Sequence, residues 1–180
     1  MRIIITGSPG TGKSTLSKKL AVELGLELIE IKKIIIQKKL INKKHEVDIE
    51  KLAMALRFLK NKRNYLVEGH LACELRIPAD TIIVLRTHPK VLKTRFRKRK
   101  YGKKKTEDNL VVEMIDYCTQ KIEAVYKLKP LELDTSKHGI EESVDLIKKA
   151  IKHKKKKIDL VDYSGSLIRD IHGKRGKKTY

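Results

Sequence analysis

The segment "GSPGTGKST" spans residues 7–15 and follows the apolar run "RIIIT" at residues 2–6. Gly7, Gly12, Lys13 and Ser14 satisfy G-x-x-x-x-G-K-[ST], the pattern of a loop that wraps the phosphates of a nucleotide. Its glycines let backbone N–H groups point inward around oxygen atoms. The loop works only between a buried strand and a helix whose N-terminus adds partial positive charge. Lys13 would neutralise the β- and γ-phosphates, Ser14 would bind Mg²⁺, and Gly10 leaves room for close approach. This requirement restricts the chain to an α/β fold built on a parallel sheet.

The rest of the sequence follows that pattern. A helix is expected from Ser14, with Leu16, Leu20 and Leu24 on one stripe and Gly25 ending it. "LELIEI" (26–31) alternates as a strand, the Lys-rich segment 32–47 is ambiguous, and Asp48 can cap a helix carrying Ile49, Leu52, Leu56 and Leu59. "YLVE" (65–68), "TIIVL" (81–85) and "LELD" (131–134) read as further strands. Pro89 suits the first turn of a helix. A single long helix is expected over 107–127 from Val111, Met114, Ile115, Cys118 and Ile122, and a last helix from Ile140, Val144, Ile147 and Ile151. The expectation is a P-loop NTPase fold: a mostly parallel five-stranded sheet flanked by helices.

Charge is the second constraint. Lys and Arg number 43 against 22 Asp and Glu, a net +21, which favours polyanions such as nucleotides or nucleic acid. Two Phe and six Tyr, with no Trp, make the core aliphatic and leave few base-stacking platforms. Cys73 and Cys118 lie far apart in sequence without metal-ligand spacing, as expected of core thiols in a reducing cytosol. No apolar run is of membrane-spanning length and no secretory leader is evident, so a cytoplasmic protein is expected, with a monomer favoured. Residues 152–180 carry ten Lys or Arg against three Asp and read as a basic C-terminal extension, solvated or partly ordered.

Catalysis beside a phosphate loop needs a carboxylate at a neighbouring strand end to hold water on Mg²⁺. Glu68, closing "NYLVE", is placed for it, and His70 follows in "EGH" as a general base or water-orienting group. "KTRFRKRKYGKKK" (93–105) has nine Lys or Arg and no acid. It suits a mobile lid, an RNA patch, or both. Arg95 and Arg99, at i and i+4, are expected to share a helical face and reach one ligand. No N-K-x-D guanine-reading sequence appears, which leaves the kinase type of P-loop protein.

Together, "GSPGTGKST", "VEGH", "VLRTHPKVLKTRFRKRKY" and the Lys105, Asp108, Asn109 and Glu113 of "KTEDNLVVE" resemble the adenylate kinase isoenzyme six family, in its archaeal type. These are adenylate-kinase-like ATPases of small-ribosomal-subunit maturation, and the likeness runs from Met1 to about residue 151. It implies transfer of the ATP γ-phosphate to a nucleoside monophosphate, AMP preferred, with ATPase activity besides. The phosphate-binding positions would be Gly10, Gly12, Lys13, Ser14 and Thr15, with Glu68 on the Mg²⁺ side and His70 catalytic. Arg99 would be the lid arginine and Lys137 would lie near the adenine. The acceptor region would be about 30–53, an insertion in the 1–151 domain, and the lid about 98–108. Partners implied are ribosomal protein eleven of the small subunit and pre-ribosomal RNA. The sequence departs from the family's pattern at Lys32-Lys33, where Gly-Asp is usual, and at Lys100, where Gly follows the lid arginine.

Two readings of function stand on these residues. One is a nucleoside monophosphate kinase with side ATPase activity. The other is an ATP-driven assembly factor for a ribosomal protein or rRNA with little kinase activity. A kinase acting on a nucleic-acid end is a third, weaker reading.

Overall fold

A computed structural model describes residues 1–44 and 46–167. Its centre is a parallel five-stranded sheet of β1 (Arg2–Thr6), β2 (Glu27–Glu30), β3 (Tyr65–Glu68), β4 (Thr81–Arg86) and β5 (Leu131–Asp134), in the order β2-β3-β1-β4-β5. The helices are α1 (Lys13–Glu23), α2 (Ile31–Gln37), α3 (Ile49–Ala55), α4 (Pro89–Lys98), α5 (Lys103–Met114), α6 (Tyr117–Tyr126) and α7 (Ile140–Lys152). The register sets Ile5 beside both Glu68 and Ile83, and Arg86 beside Asp134. The C-terminal strand ends, which carry the chemical side chains, therefore meet along one edge.

The strands read as unbroken apolar runs because both faces are covered. Ile3 and Ile5, with Leu66, Ile83, Leu85 and Leu133, pack against Leu16 and Leu20 of α1 and Val144 and Ile147 of α7. Ile4, Val67 and Val84 face the other way, against Leu52, Cys118 and Ile122. A third cluster joins Leu92 and Phe96 of α4 to Leu110 and Met114 of α5.

Several expectations are met to within a residue. α1 carries its expected stripe and ends at Glu23, with Leu24 as its C-cap and Gly25 at φ 60. Asp48 caps α3, its carboxylate accepting from the Lys51 N–H at 3.0 Å. Pro89 opens α4.

Others are corrected. The helix expected over 107–127 is two helices, broken at Asp116, which adopts φ 54. The reason is that its apolar positions serve different clusters. Leu110 and Met114 turn toward α4, whereas Cys118 and Ile122 turn into the sheet. Val111 and Ile115, assigned to the same buried face, are 41% and 38% exposed. The strand expected to reach Ile31 stops at Glu30, and Ile31 opens α2 from the ambiguous Lys-rich segment. The lid segment is mostly helical: α4 runs to Lys98, Arg99 to Gly102 form the turn, and α5 follows.

The basic extension divides. Past α7, Asp159 accepts from the Asp134 N–H at 2.8 Å, and Val161 and Tyr163 bury themselves in the α4–α5 cluster. Residues 168–180 lie outside the described residues. No helix among the described residues is long and apolar enough to cross a membrane.

Candidate nucleotide site

The loop between β1 and α1 turns on two glycines at positive φ, where a side chain would be strained. Gly7 has φ 139, and a Cβ there would stand 2.3 Å from the Leu85 carbonyl oxygen. Gly10 has φ 88, and its Cβ would meet Leu92 and Phe96 at 2.8 Å. The loop thus packs directly on β4 and α4. Lys13, only 7% exposed, donates from Nζ to the carbonyls of Gly7 at 2.9 Å and Ser8 at 3.0 Å. Burial pulls its pKa down, while the carboxylates of Glu68 and Glu113 oppose that shift.

Glu68 ends β3, buried, and Ser14 Oγ donates to its Oε1 at 3.2 Å. His70 follows two residues on and lines the cavity. Partial desolvation at the site, and then the nearby Lys13 ammonium, push its pKa down to about 4, although the residue keeps an exposed edge. Cys73 Sγ donates to the His70 carbonyl at 3.1 Å and fixes that turn from below. Cys73 and Cys118 are free and buried, as expected of core thiols.

A cavity of about 270 Å³ joins these groups. Its walls are the loop from Gly10 to Thr15, then Glu68 and His70, then Glu30 and Lys32 at the start of α2, and finally Arg99 and Tyr101 at the lid turn. Gly10, Gly12, Lys13, Ser14, Thr15, Glu68, His70 and Arg99 are therefore brought together.

Arg95 and Lys137 are not. Arg95 was expected to reach a ligand with Arg99, yet it donates to the Gly10 carbonyl at 3.1 Å and the Thr135 carbonyl at 2.9 Å. Its guanidinium clamps the phosphate loop to the β5 loop instead of lining the cavity, because Thr135 supplies acceptors within its reach. Burial and the neighbouring Arg99 charge lower its pKa. Lys137 is exposed on the β5 loop, 3.7 Å from Asp134, away from the cavity lining.

Sequence reasoning missed the support beneath the loop. Arg86, 2% exposed, donates to Glu113 Oε1 at 2.9 Å, to the Glu113 carbonyl at 3.0 Å and to Glu132 at 2.7 Å, and also pairs with Asp116. Glu113 further accepts from the Thr87 N–H at 3.0 Å and from the Ser8 hydroxyl. Burial raises the Glu113 pKa and the Arg86 charge opposes that. Arg86 and Glu113 were visible in the motifs "VLRT" and "KTEDNLVVE", but nothing in the sequence said that they touch. Among the described residues no group of three His, Cys, Asp or Glu could hold a metal ion.

Residues 3–116 match the model of the AAA domain family. A protein of Methanocaldococcus jannaschii named "Putative adenylate kinase" is 38% identical, over 91% of this chain and 93% of its own length. Proteins of the same name from Thermococcus onnurineus and Pyrococcus furiosus are 34% identical, each over 91% of this chain and 92% of their own lengths. The chain belongs to this archaeal family.

Solved structures confirm the fold that the family shares. Shikimate kinase from Acinetobacter baumannii superimposes with TM-score 0.65 at 18% identity, over 86% of this chain and 94% of its own. Deoxyadenosine kinase from M. mycoides superimposes with TM-score 0.59 at 19% identity, over 85% of this chain and all of its own. Both likenesses concern the fold, a P-loop sheet flanked by helices.

Proposed function

We propose that this family member transfers the γ-phosphate of ATP to a nucleoside monophosphate, AMP preferred, with ATPase activity as a side reaction. The observation that carries the reading is the continuity of one cavity from the phosphate loop, past Glu68 and His70, to α2 and the lid turn. A hydrolase needs only the first half of that path. The names of the archaeal relatives support a nucleotide kinase.

The roles follow from position. Backbone N–H groups of Gly10 to Thr15 would hold the donor phosphates, and Lys13 would follow charge as it moves outward. The residues present fit Mg²⁺ bound together with nucleotide, because Ser14 offers a hydroxyl and Glu68 a carboxylate beside it. Such an ion supplies Lewis-acid stabilisation to the phosphate oxygens. Neutral His70 would accept a hydrogen bond or proton from the attacking group or an intervening water. Arg99 would reach over the transferring phosphoryl from the lid turn, and Arg95 would keep the loop in place. Lys32 faces the acceptor half and would pair with the monophosphate's charge. Lys137 would border the adenine outside the phosphate cavity.

The motif set and the +21 charge support assignment to the adenylate kinase isoenzyme six type, in the cytoplasm. Its partners there are a ribosomal protein of the small subunit and pre-ribosomal RNA. The alternative role of an ATP-driven assembly factor is favoured by one observation, the lysine at the acceptor wall where the resembled family has a Gly-Asp pair. Product analysis with ATP and Mg²⁺, with and without AMP, tests the choice. AMP-dependent ADP with little free phosphate supports the kinase. Phosphate release indifferent to AMP contradicts it.

A further inference from the structure

The fold divides the nine Lys and Arg of residues 93–105 by task. Arg95 clamps the phosphate loop, and Arg99 lines the nucleotide cavity. The other seven, Lys93, Arg97, Lys98, Lys100, Lys103, Lys104 and Lys105, are all exposed. Elsewhere on the surface Lys19, Lys33, Lys62 and Lys148 find carboxylate partners. None of these seven does so among the described residues. Lys105 lies over the Tyr101 ring at 4.5 Å, which leaves its charge uncompensated. Seven like charges in no ion pair repel one another, and an external polyanion relieves that repulsion.

These cations border a defined shape. Lys93, Arg97 and Lys103 rim a groove of about 470 Å³ between α4 and α5, floored by Tyr101, Leu110 and Val111, with Glu107 at one edge. The groove lies outside the nucleotide cavity and shares only Tyr101 with it. Lys93 and Arg97 stand one turn apart, about 5–6 Å between Cβ atoms, a spacing of the order of successive phosphates in an extended strand. The apolar floor suits a sugar and the edge of an unstacked base better than a hydrated ion.

Two occupants are disfavoured by sign. Residues 168–180 of this chain carry Arg169, Lys174, Arg175, Lys177 and Lys178 against Asp170, and a second copy brings the same +21. We propose that the outer α4–α5 groove binds single-stranded RNA, its rim cations contacting consecutive phosphates. This shares an RNA partner with the proposed function but does not rest on phosphoryl transfer.

The test is fluorescence anisotropy of a labelled oligouridylate with the full chain, between about 50 and 200 mM KCl. Replacing Lys93→Ala, Arg97→Ala and Lys103→Ala together is expected to weaken binding about tenfold and to flatten the log–log salt slope by about 2. The melting temperature is expected to stay unchanged, since all three side chains are exposed. Val111→Asp keeps every cation, sets a carboxylate on the floor, and is expected to weaken binding about threefold. A control variant, Lys129→Ala with Lys154→Ala and Lys155→Ala, removes as many charges at the opposite end of the sheet. It is expected to bind within about twofold of the parent, because it leaves the groove contacts intact. Unchanged binding in the groove variants, or equal losses in groove and control variants, overturns the proposal. Competition by polyglutamate as effective as by RNA also overturns it, in favour of an acidic polypeptide.

Discussion

Lys13 shows how burial and charge combine in one side chain. Burial lowers its pKa, two loop carbonyls accept from its Nζ, and the proposed role has phosphate oxygens replace those acceptors. Lys13→Met is expected to lower ATP turnover at least about 100-fold, the scale of removing one preorganised charge donor. Initial-rate measurement checks it. His70 is expected to titrate near 4 in the free protein, against 6.5 for an ordinary imidazole. A midpoint near pH 6.5 followed by NMR would contradict this lowering by desolvation and the Lys13 charge. Because the unfolded chain takes up this proton below about 6.5 and the folded one does not, stability falls as pH drops from 7 toward 5. His70→Gln is expected to lose less over that window in parallel urea titrations. Gly10→Ala combines a left-handed φ with two contacts at 2.8 Å and is expected to cost about 1–3 kcal/mol. Thermal or urea unfolding reads that directly.

The elements were legible where neighbours in sequence are neighbours in space. The phosphate loop, α1 and the cap at Asp48 are local features, so composition and spacing revealed them. The break at Asp116 was not legible, because it depends on Arg86 arriving from β4 to receive the carboxylate. Arg95's contact with the β5 loop was hidden for the same reason: its acceptors on Thr135 are distant in sequence. Arg86 is the element-scale test. Arg86→Met leaves Glu113, Asp116 and Glu132 facing one another without a cation, and is expected to destabilise the fold by about 3–5 kcal/mol. Denaturant titration showing a loss below about 1 kcal/mol would mean the network is nearly neutral to stability.

At the largest scale, the parallel sheet sets the β3 and β4 ends beside the phosphate loop, and the segment after α7 closes over that edge. Tyr163 lies 5.3 Å from the Arg86 guanidinium carbon and edge-on to His88 at 5.5 Å. Charge left open whether the extension is solvated or partly ordered, and did not show which of its residues dock. Its apolar residues Val161 and Tyr163, spaced two apart between acids, were too sparse to signal burial. Truncation after Lys157 is expected to lower the melting temperature by several degrees, about 2–4 °C per kcal/mol for a chain of this size. Truncation after Leu167 leaves those contacts in place and serves as the comparison.

One cavity for two nucleotides is the premise behind the kinase reading, and calorimetric titration with two adenosines joined through five phosphates examines it. Binding of one analogue per chain, about 100-fold tighter than ATP and lost in Lys13→Met, is the expected result. Affinity no greater than that of ATP would show that α2 and the lid turn do not receive an acceptor, and the kinase reading would fall.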